Sequence, residues 1–356
     1  LGNHTDYNQG AVLSLAVNKQ TQISFKKIEG DICYLQSPTI SNKKVEFDLN
    51  DISTPLPNGD WSNYVRGVVN ELQIKGCKVS GFQALISSDI PLSAGMSSSA
   101  ALEMALVTGL NQLFSLKLTS LEIALIGQAT ENNYLKANTG LMDQFTSLNG
   151  KQEHLLHSEY LNLTLKHIPL PSELSIVVVN SGVKHDLSKE YNERREQCED
   201  AHRSIQKYDS NIKSLSDLSL SKYHEFEDLL DPLIYKRGLH IVEENDRVAR
   251  ACSMLNENQL SDFGNLLFES HESSRNNFEN SCSELDEIIS IAQDFPLCLG
   301  ARLSGGGFGG ITIHLVKDND LEAYMSYVEQ AYYEKFDTQP MMFSCKSAQG
   351  ASVSNY

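Results

Sequence analysis

Apolar and polar residues alternate in short runs along the first third of the chain, with turn residues between them. This period-two pattern predicts strands at Ala11–Val17, Gln22–Lys26, Ile32–Leu35 and Val45–Leu49. Apolar residues then recur at helical spacing over Trp61–Lys75 and Ser98–Phe114, with a strand-like stretch, Ala84–Ile90, between the two. A third helix is expected from Thr119, because Thr119-x-x-Glu122 has the form of a capping box. Beyond Asp143 the pattern turns strand-like again. It is clearest at Leu174–Asn180 (LSIVVVN), apolar nearly throughout, as in a strand covered on both faces. From Glu190 to Ala292 the chain reads as mostly helical and charged. Ala301–Ser304 and Ile311–Val316 read as strands on either side of a glycine cluster. This order predicts an α+β protein of two domains, residues 1–168 and 169–356.

Composition narrows the class. At 356 residues and 40% hydrophobic content the chain is long and apolar enough for two packed cores. Its 29 basic against 46 acidic residues give a net charge of −17, which argues against nucleic acid or an anionic membrane as partner. No run reaches the roughly 18 apolar residues of a membrane span, and the N-terminus lacks a secretory pattern. Seven cysteines lie scattered without a CxxC pair, as expected for free thiols in a reducing compartment; a cytoplasmic location follows as an expectation.

Four stretches carry candidate chemistry. Pro91–Ala101 (PLSAGMSSSAA) leads from a strand-like run into a helix. Gly95 allows a tight turn, Ser97, Ser98 and Ser99 can cap the first helical turn, and such a helix start is an anion site. A plain capped helix fits the same residues. The Walker pattern is absent from the chain, so this is not a P-loop NTPase. Gly305–Gly310 (GGGFGG) satisfies G-x-G-x-x-G, but the strand-like Ile311–Val316 follows where a dinucleotide fold needs a helix. Its backbone can approach a ligand closely; a hairpin turn is the plainer reading. In Gly140–Gly150 (GLMDQFTSLNG), Asp143 between Met142 and Phe145 suits a partly buried carboxylate near a reacting hydroxyl, or a turn aspartate. Glu131, on the stripe Ala124, Gln128, Glu131, Leu135, is a carboxylate on an inward face that calls for a cation or a metal. Finally, the opening His4-Thr5-Asp6-Tyr7-Asn8 offers five hydrogen-bonding side chains, suited to a polyol or to a polar turn.

In this order the four stretches resemble the galactokinase branch of the GHMP small-molecule kinases. GNHTDYNQG is similar to the sugar loop, PLSAGMSSSAA to the ATP motif, GLMDQFTSLNG to the segment with the base, and RLSGGGFGG to the C-terminal glycine motif. WSNYVRG, NSGVKHDLSKEYNERREQC and FGNLLFESHESSRNNFENSCSEL extend the similarity nearly end to end. The resemblance implies a two-domain GHMP fold with the active site between the domains, acting with ATP and Mg²⁺ on the anomeric C1 hydroxyl of a monosaccharide, galactose above all. It makes Asp143 the base, gives Ser99 and Glu131 to Mg²⁺, and wraps the nucleotide with Ser93, Ala94, Gly95, Met96, Ser97, Ser98 and Ser99. Ser37, Trp61, Gly305, Gly306 and Gly307 fall at further ATP positions. Asn3, His4, Thr5, Asp6, Gly140 and Tyr191 match sugar positions, and Lys184 stands where the family often carries a cation.

There are two departures. Asn3 replaces the family's usual Glu, which keeps alive a kinase for N-acetylgalactosamine, arabinose or a uronic acid. An Arg the family carries some six residues upstream of Asn3 would precede Leu1, so the sequence is expected to continue upstream. A non-catalytic sugar sensor on the same scaffold is the remaining alternative; intact Ser97-Ser98-Ser99-Ala100 and Asp143 argue against it.

Overall fold

A computed structural model describes residues 1–91, 95–183 and 188–354. In chain order its strands and helices are β1 (Ala11–Ser14), β2 (Thr21–Lys27), β3 (Ile32–Ser37), β4 (Ser41–Asp48), α1 (Ser62–Ile74), β5 (Phe82–Ser88) and α2 (Ser98–Leu113). They continue with α3 (Ser120–Ala129), α4 (Met142–Asn149), β6 (His154–Glu159), β7 (Thr164–Pro169), β8 (Leu174–Asn180), α5 (Ser188–Gln206) and α6 (Leu220–His224). The remainder is α7 (Pro232–Asn256), α8 (Leu260–Ser273), α9 (Ser283–Asp294), β9 (Cys298–Ser304), β10 (Ile311–Lys317), α10 (Leu321–Phe336) and β11 (Met341–Cys345). Two π-helical turns, Thr130–Tyr134 and Ser274–Phe278, continue α3 and α8.

These elements form two compact units, both discontinuous in sequence. The first is Leu1–Leu15, Ser93–Gly95 and Lys151–Ser347; the second is Ala16–Leu92, Met96–Gly150 and Ala348–Tyr356. This differs from the single cut expected after residue 168. Its cause is hydrogen bonding at both ends of the chain. β1 pairs antiparallel with β6, and the Ala348 and Gly350 N–H groups donate to the carbonyls of Ala16 and Gly150.

The second unit has one four-stranded sheet, β2-β5-β3-β4, antiparallel except for the parallel β3/β5 pair. Alternation along β5 buries Phe82, Ala84 and Ile86 and turns Gln83 and Leu85 outward. The buried face packs with Val65, Val68 and Leu72 of α1 and Leu102, Leu106 and Leu110 of α2, one face of each helix. The capping box at the start of α3 is present: Glu122 N–H donates to Thr119 Oγ1, and Thr119 N–H to Glu122 Oε2.

The first unit has two sheets, β1-β6-β7 and β11-β8-β10-β9. In the second of these, β8 and β10 are the central strands, which explains the apolar run of LSIVVVN. Val177 and Val179 pack with Ile288 and Ala292 of α9 and Tyr324 and Val328 of α10. Among the described residues no helix is long and apolar enough to cross a membrane.

Candidate functional site

In the first unit the N-terminal loop is held from beneath by α7. Helical spacing puts His240, Glu244 and Arg247 on one buried face of that helix. Both Gly2 N–H and Asn3 N–H donate to Glu244 Oε2 at 2.8 Å. Burial opposes a charge on Glu244, but Arg247, with Nε 3.2 Å away, and buried Arg302 outweigh it and hold the carboxyl well below the usual carboxylate range. His240 bridges the Asn3 carbonyl (Nε2, 3.2 Å) and the Ser273 hydroxyl (Nδ1, 2.9 Å).

Within the loop, Thr5 is fully buried and its hydroxyl is shared between the carbonyls of Gly2 and Ala11. Thr5 therefore shapes the loop from inside. His4 is also buried; its ring lies 4.5 Å from that of Phe278 and 5.2 Å from that of Tyr191 on α5. Burial, with His240 adding to it, pushes the His4 pKa down to about 3, so the ring is neutral at physiological pH. Asn3 spends its side chain on the protein: Nδ2 donates to Gly305 O at 3.0 Å, and Oδ1 accepts from Asn280 Nδ2 at 3.2 Å.

The glycine cluster is a loop between the antiparallel strands β9 and β10, whose ends pair as Ser304 with Ile311. This is the strand-loop-strand context expected from the sequence. Gly307 has φ +85°, and a Cβ there would lie 2.0 Å from Asn280 O, an overlap no side chain tolerates. The carbonyls of the neighbouring π-helical turn are clamped by two buried arginines. Arg194 donates to Phe278 O and Glu279 O and lies over the Phe308 ring, while Arg237 donates to Asn277 O. Gly95, also in this unit, has its carbonyl 4.0 Å from where a Cβ on Gly305 would stand.

In the second unit the chemistry is acidic. Ser97 caps α2 in the left-handed region (φ 52°) without a side-chain capping bond, contrary to the expected serine cap. The first-turn N–H groups are then left with the partial positive charge that favours an anion. Glu103, one turn after Ser99, is fully buried; burial, then Glu131 and Asp143, pushes its carboxyl well above the usual range. Gln144 on α4 donates through Nε2 to Glu103 Oε2 (3.2 Å) and Glu131 Oε2 (3.1 Å), and Thr139 Oγ1 donates to the same Glu131 oxygen at 2.5 Å. Glu131 sits in the π-helical turn Thr130–Tyr134, and Asp143 in the first turn of α4. Buried Glu103 Oε1 and Gln144 Oε1 have no hydrogen-bond partner among the described residues. The two buried carboxyls are thus joined by one amide. Among the described residues no group of three His, Cys, Asp or Glu forms a complete metal cage.

Several sequence-predicted residues come together: Asn3, His4, Tyr191, Gly305 and Gly306 in the first unit, Glu131 and Asp143 in the second. Ser37 is buried on β3, its hydroxyl without a partner among the described residues, Trp61 precedes α1 and packs on the core, and Gly140 precedes α4. Ser93, Ala94 and Lys184 lie outside the described residues. Sequence reasoning missed Glu103, Gln144, His240, Glu244 and Asn280. Glu103 had a signal, as the one charged residue in the sequence of α2; Asn280 had none.

Comparison with known proteins shows the family. Residues 63–151 match the N-terminal domain of GHMP kinases, residues 250–334 their C-terminal domain, and residues 1–27 the galactokinase galactose-binding signature. The structure of Lactococcus lactis galactokinase complexed with galactose superposes with TM-score 0.94 at 32% identity, covering 99% of this chain and 92% of that one. Mevalonate kinase from Methanococcus jannaschii (TM-score 0.64, 20% identity, 98% and 95% covered) shares the fold. So does L. major mevalonate kinase in complex with R-mevalonate (0.66, 19%, 99% and 94%). The chain has the two-domain GHMP kinase fold and belongs to the galactokinase family of ATP-dependent sugar kinases.

Proposed function

We propose that the chain transfers the terminal phosphoryl group of ATP to the C1 hydroxyl of galactose. The observation that carries this reading is the N-terminal loop. Residues 1–27 match a galactose-binding signature, and both backbone N–H groups ahead of His4 are pinned by one buried carboxylate, Glu244. His4, Asp6, Gly140 and Tyr191 are the proposed sugar contacts, with Asn3 and Thr5 shaping the loop. Ser37, Trp61, Ser93–Ser99 and Gly305–Gly307 are assigned to the nucleotide.

Phosphoryl transfer needs positioning and charge neutralisation more than covalent chemistry. Asp143, in the first turn of α4, is the group proposed to accept the proton of the attacking hydroxyl. The open N–H groups at the start of α2 suit phosphate oxygens. Glu131, fixed through Oε2 by Thr139 and Gln144, fits Mg²⁺ together with Ser99, and the metal would supply charge neutralisation on the phosphates. Free thiols at all seven cysteines accord with a reducing, cytoplasmic setting.

The test is ADP release across a panel of galactose, glucose, N-acetylgalactosamine, arabinose and a uronic acid. Galactose is expected to lead, with galactose 1-phosphate as product. Asp143→Asn should lower kcat by about 10²–10⁴ while the variant keeps its fold. Activity on another sugar but none on galactose, or near wild-type turnover by folded Asp143→Asn, refutes the corresponding part.

A further inference from the structure

We infer that Asn280 is a positioning residue for the sugar, and that Asn3 and Asn280 work as a matched pair of amides locking the N-terminal loop onto the glycine loop. The inference rests on the galactokinase reading for the identity of the substrate, but not for the geometry.

Asn280 follows the π-helical turn Ser274–Phe278 and is fully buried. Its backbone is fixed at both ends: N–H donates to Ser274 O at 3.1 Å, and the carbonyl accepts from Phe308 N–H at 2.5 Å. Its Nδ2 donates to an acceptor on each loop, Asn3 Oδ1 at 3.2 Å on one and Gly306 O at 3.1 Å on the other, beside His4 Nε2. A fully desolvated amide is stable only when its protons are matched, so this group favours the one loop arrangement that supplies the acceptors. Asn3 completes the lock through Nδ2 to Gly305 O.

This explains the departure at position 3. A carboxylate there would set oxygen against the Gly305 carbonyl oxygen, where the amide donates a proton. Asn3 thus acts through the position of the loop and does not itself need to read a hydroxyl.

The experiment is a double-mutant cycle on the full chain, using the sugar that wild type turns over best, with Asn3→Asp, Asn280→Leu and the double variant. Each single change is expected to raise the sugar KM about 10-fold, the scale of one lost hydrogen bond. The ATP KM should stay within about twofold, and the double variant should be no worse than the worse single. A merely structural role would instead reduce the active fraction, and with it kcat, without a selective rise in sugar KM. Unchanged sugar KM values, multiplying effects of about 100-fold, or an equal rise in ATP KM would overturn the inference. Should Asn280→Leu not fold, isosteric Asn280→Asp is judged as a single variant by the sugar and ATP KM criteria, since with Asn3→Asp it would set two carboxylates against each other. Wild type that phosphorylates a sugar other than galactose would sink the substrate assignment and leave this test intact.

Discussion

Gln144 gives both protons of one amide to two buried carboxylates, Glu103 and Glu131, and stands beside Asp143 in the chain. Removing it leaves two acids facing each other with unmatched oxygens, a loss of about 1–3 kcal/mol. Gln144→Leu is therefore expected to melt earlier and to need at least about 10-fold more Mg²⁺ for half-maximal rate, with the sugar KM unchanged. A Mg²⁺ titration and a direct Mn²⁺-binding measurement that both superimpose on wild type would refute the role. Glu131 was legible in the sequence because a carboxylate on an inward helical stripe is an anomaly. Gln144 was not, since an amide is unremarkable until its partners, 13 and 41 residues back on two other elements, are known. Asn3 stood out only as a substitution; that its amide faces Gly305 and Asn280 depends on residues nearly three hundred positions downstream.

The glycine loop shows the same limit one scale up. Its strand-loop-strand context was readable, because Ile311–Val316 is β-branched and apolar where a dinucleotide fold needs a helix. Its close approach to Asn280 was not. Gly307→Val adds a Cβ where Asn280 O already stands and demands a left-handed backbone from a β-branched residue. Weaker use of ATP is expected, together with a raised sugar KM because Asn280 is displaced, with sheet and helix content intact by circular dichroism; normal binding and turnover of both substrates in the folded variant would refute it. Other elements divide by how far local pattern decides them. β8 was read to the residue because both its faces are buried. β6 (HLLHSE), β7 (TLKHIP) and β11 (MMFSC) mix polar and apolar residues irregularly and were not assigned. The π-helical turns were invisible as well: TENNY and SRNNF both suit an ordinary helix. Buried aromatics, Tyr134 and Phe278, end both turns, and the Arg194 and Arg237 side chains bond carbonyls of the second.

For the whole molecule, α+β composition and two cores were evident from the sequence, but not how the chain is shared between units, since that depends on the contacts of both chain ends. Stability should respond to acid through buried histidines. His314, fully buried between Thr312 and Tyr324, has its pKa pushed down to about 3 by burial, with His271 adding to it. Its folded pKa lies below the unfolded value of about 6.5, so the unfolded chain binds the extra proton, and stability is lost as pH falls from about 6.5 toward 3. The stability advantage of wild type over His314→Gln in urea should shrink by about 2 kcal/mol between pH 7 and pH 5. A constant difference would show that His314 titrates normally. The division of the chain also has a consequence for synthesis. The polypeptide passes from one unit to the other at 15/16, 92/93, 95/96, 150/151 and 347/348. The N-terminal loop leaves the ribosome long before Glu244 and Asn280, a wait on the order of ten seconds or more at ordinary elongation rates. Segments made first thus find their partners late, and the stretch that bonds to Ala16 and Gly150 is translated long after both. A nascent chain halted before α7 lacks the carboxylate that pins the loop, so sugar-binding competence should arrive only once Glu244 and Asn280 have been made rather than accumulate with length.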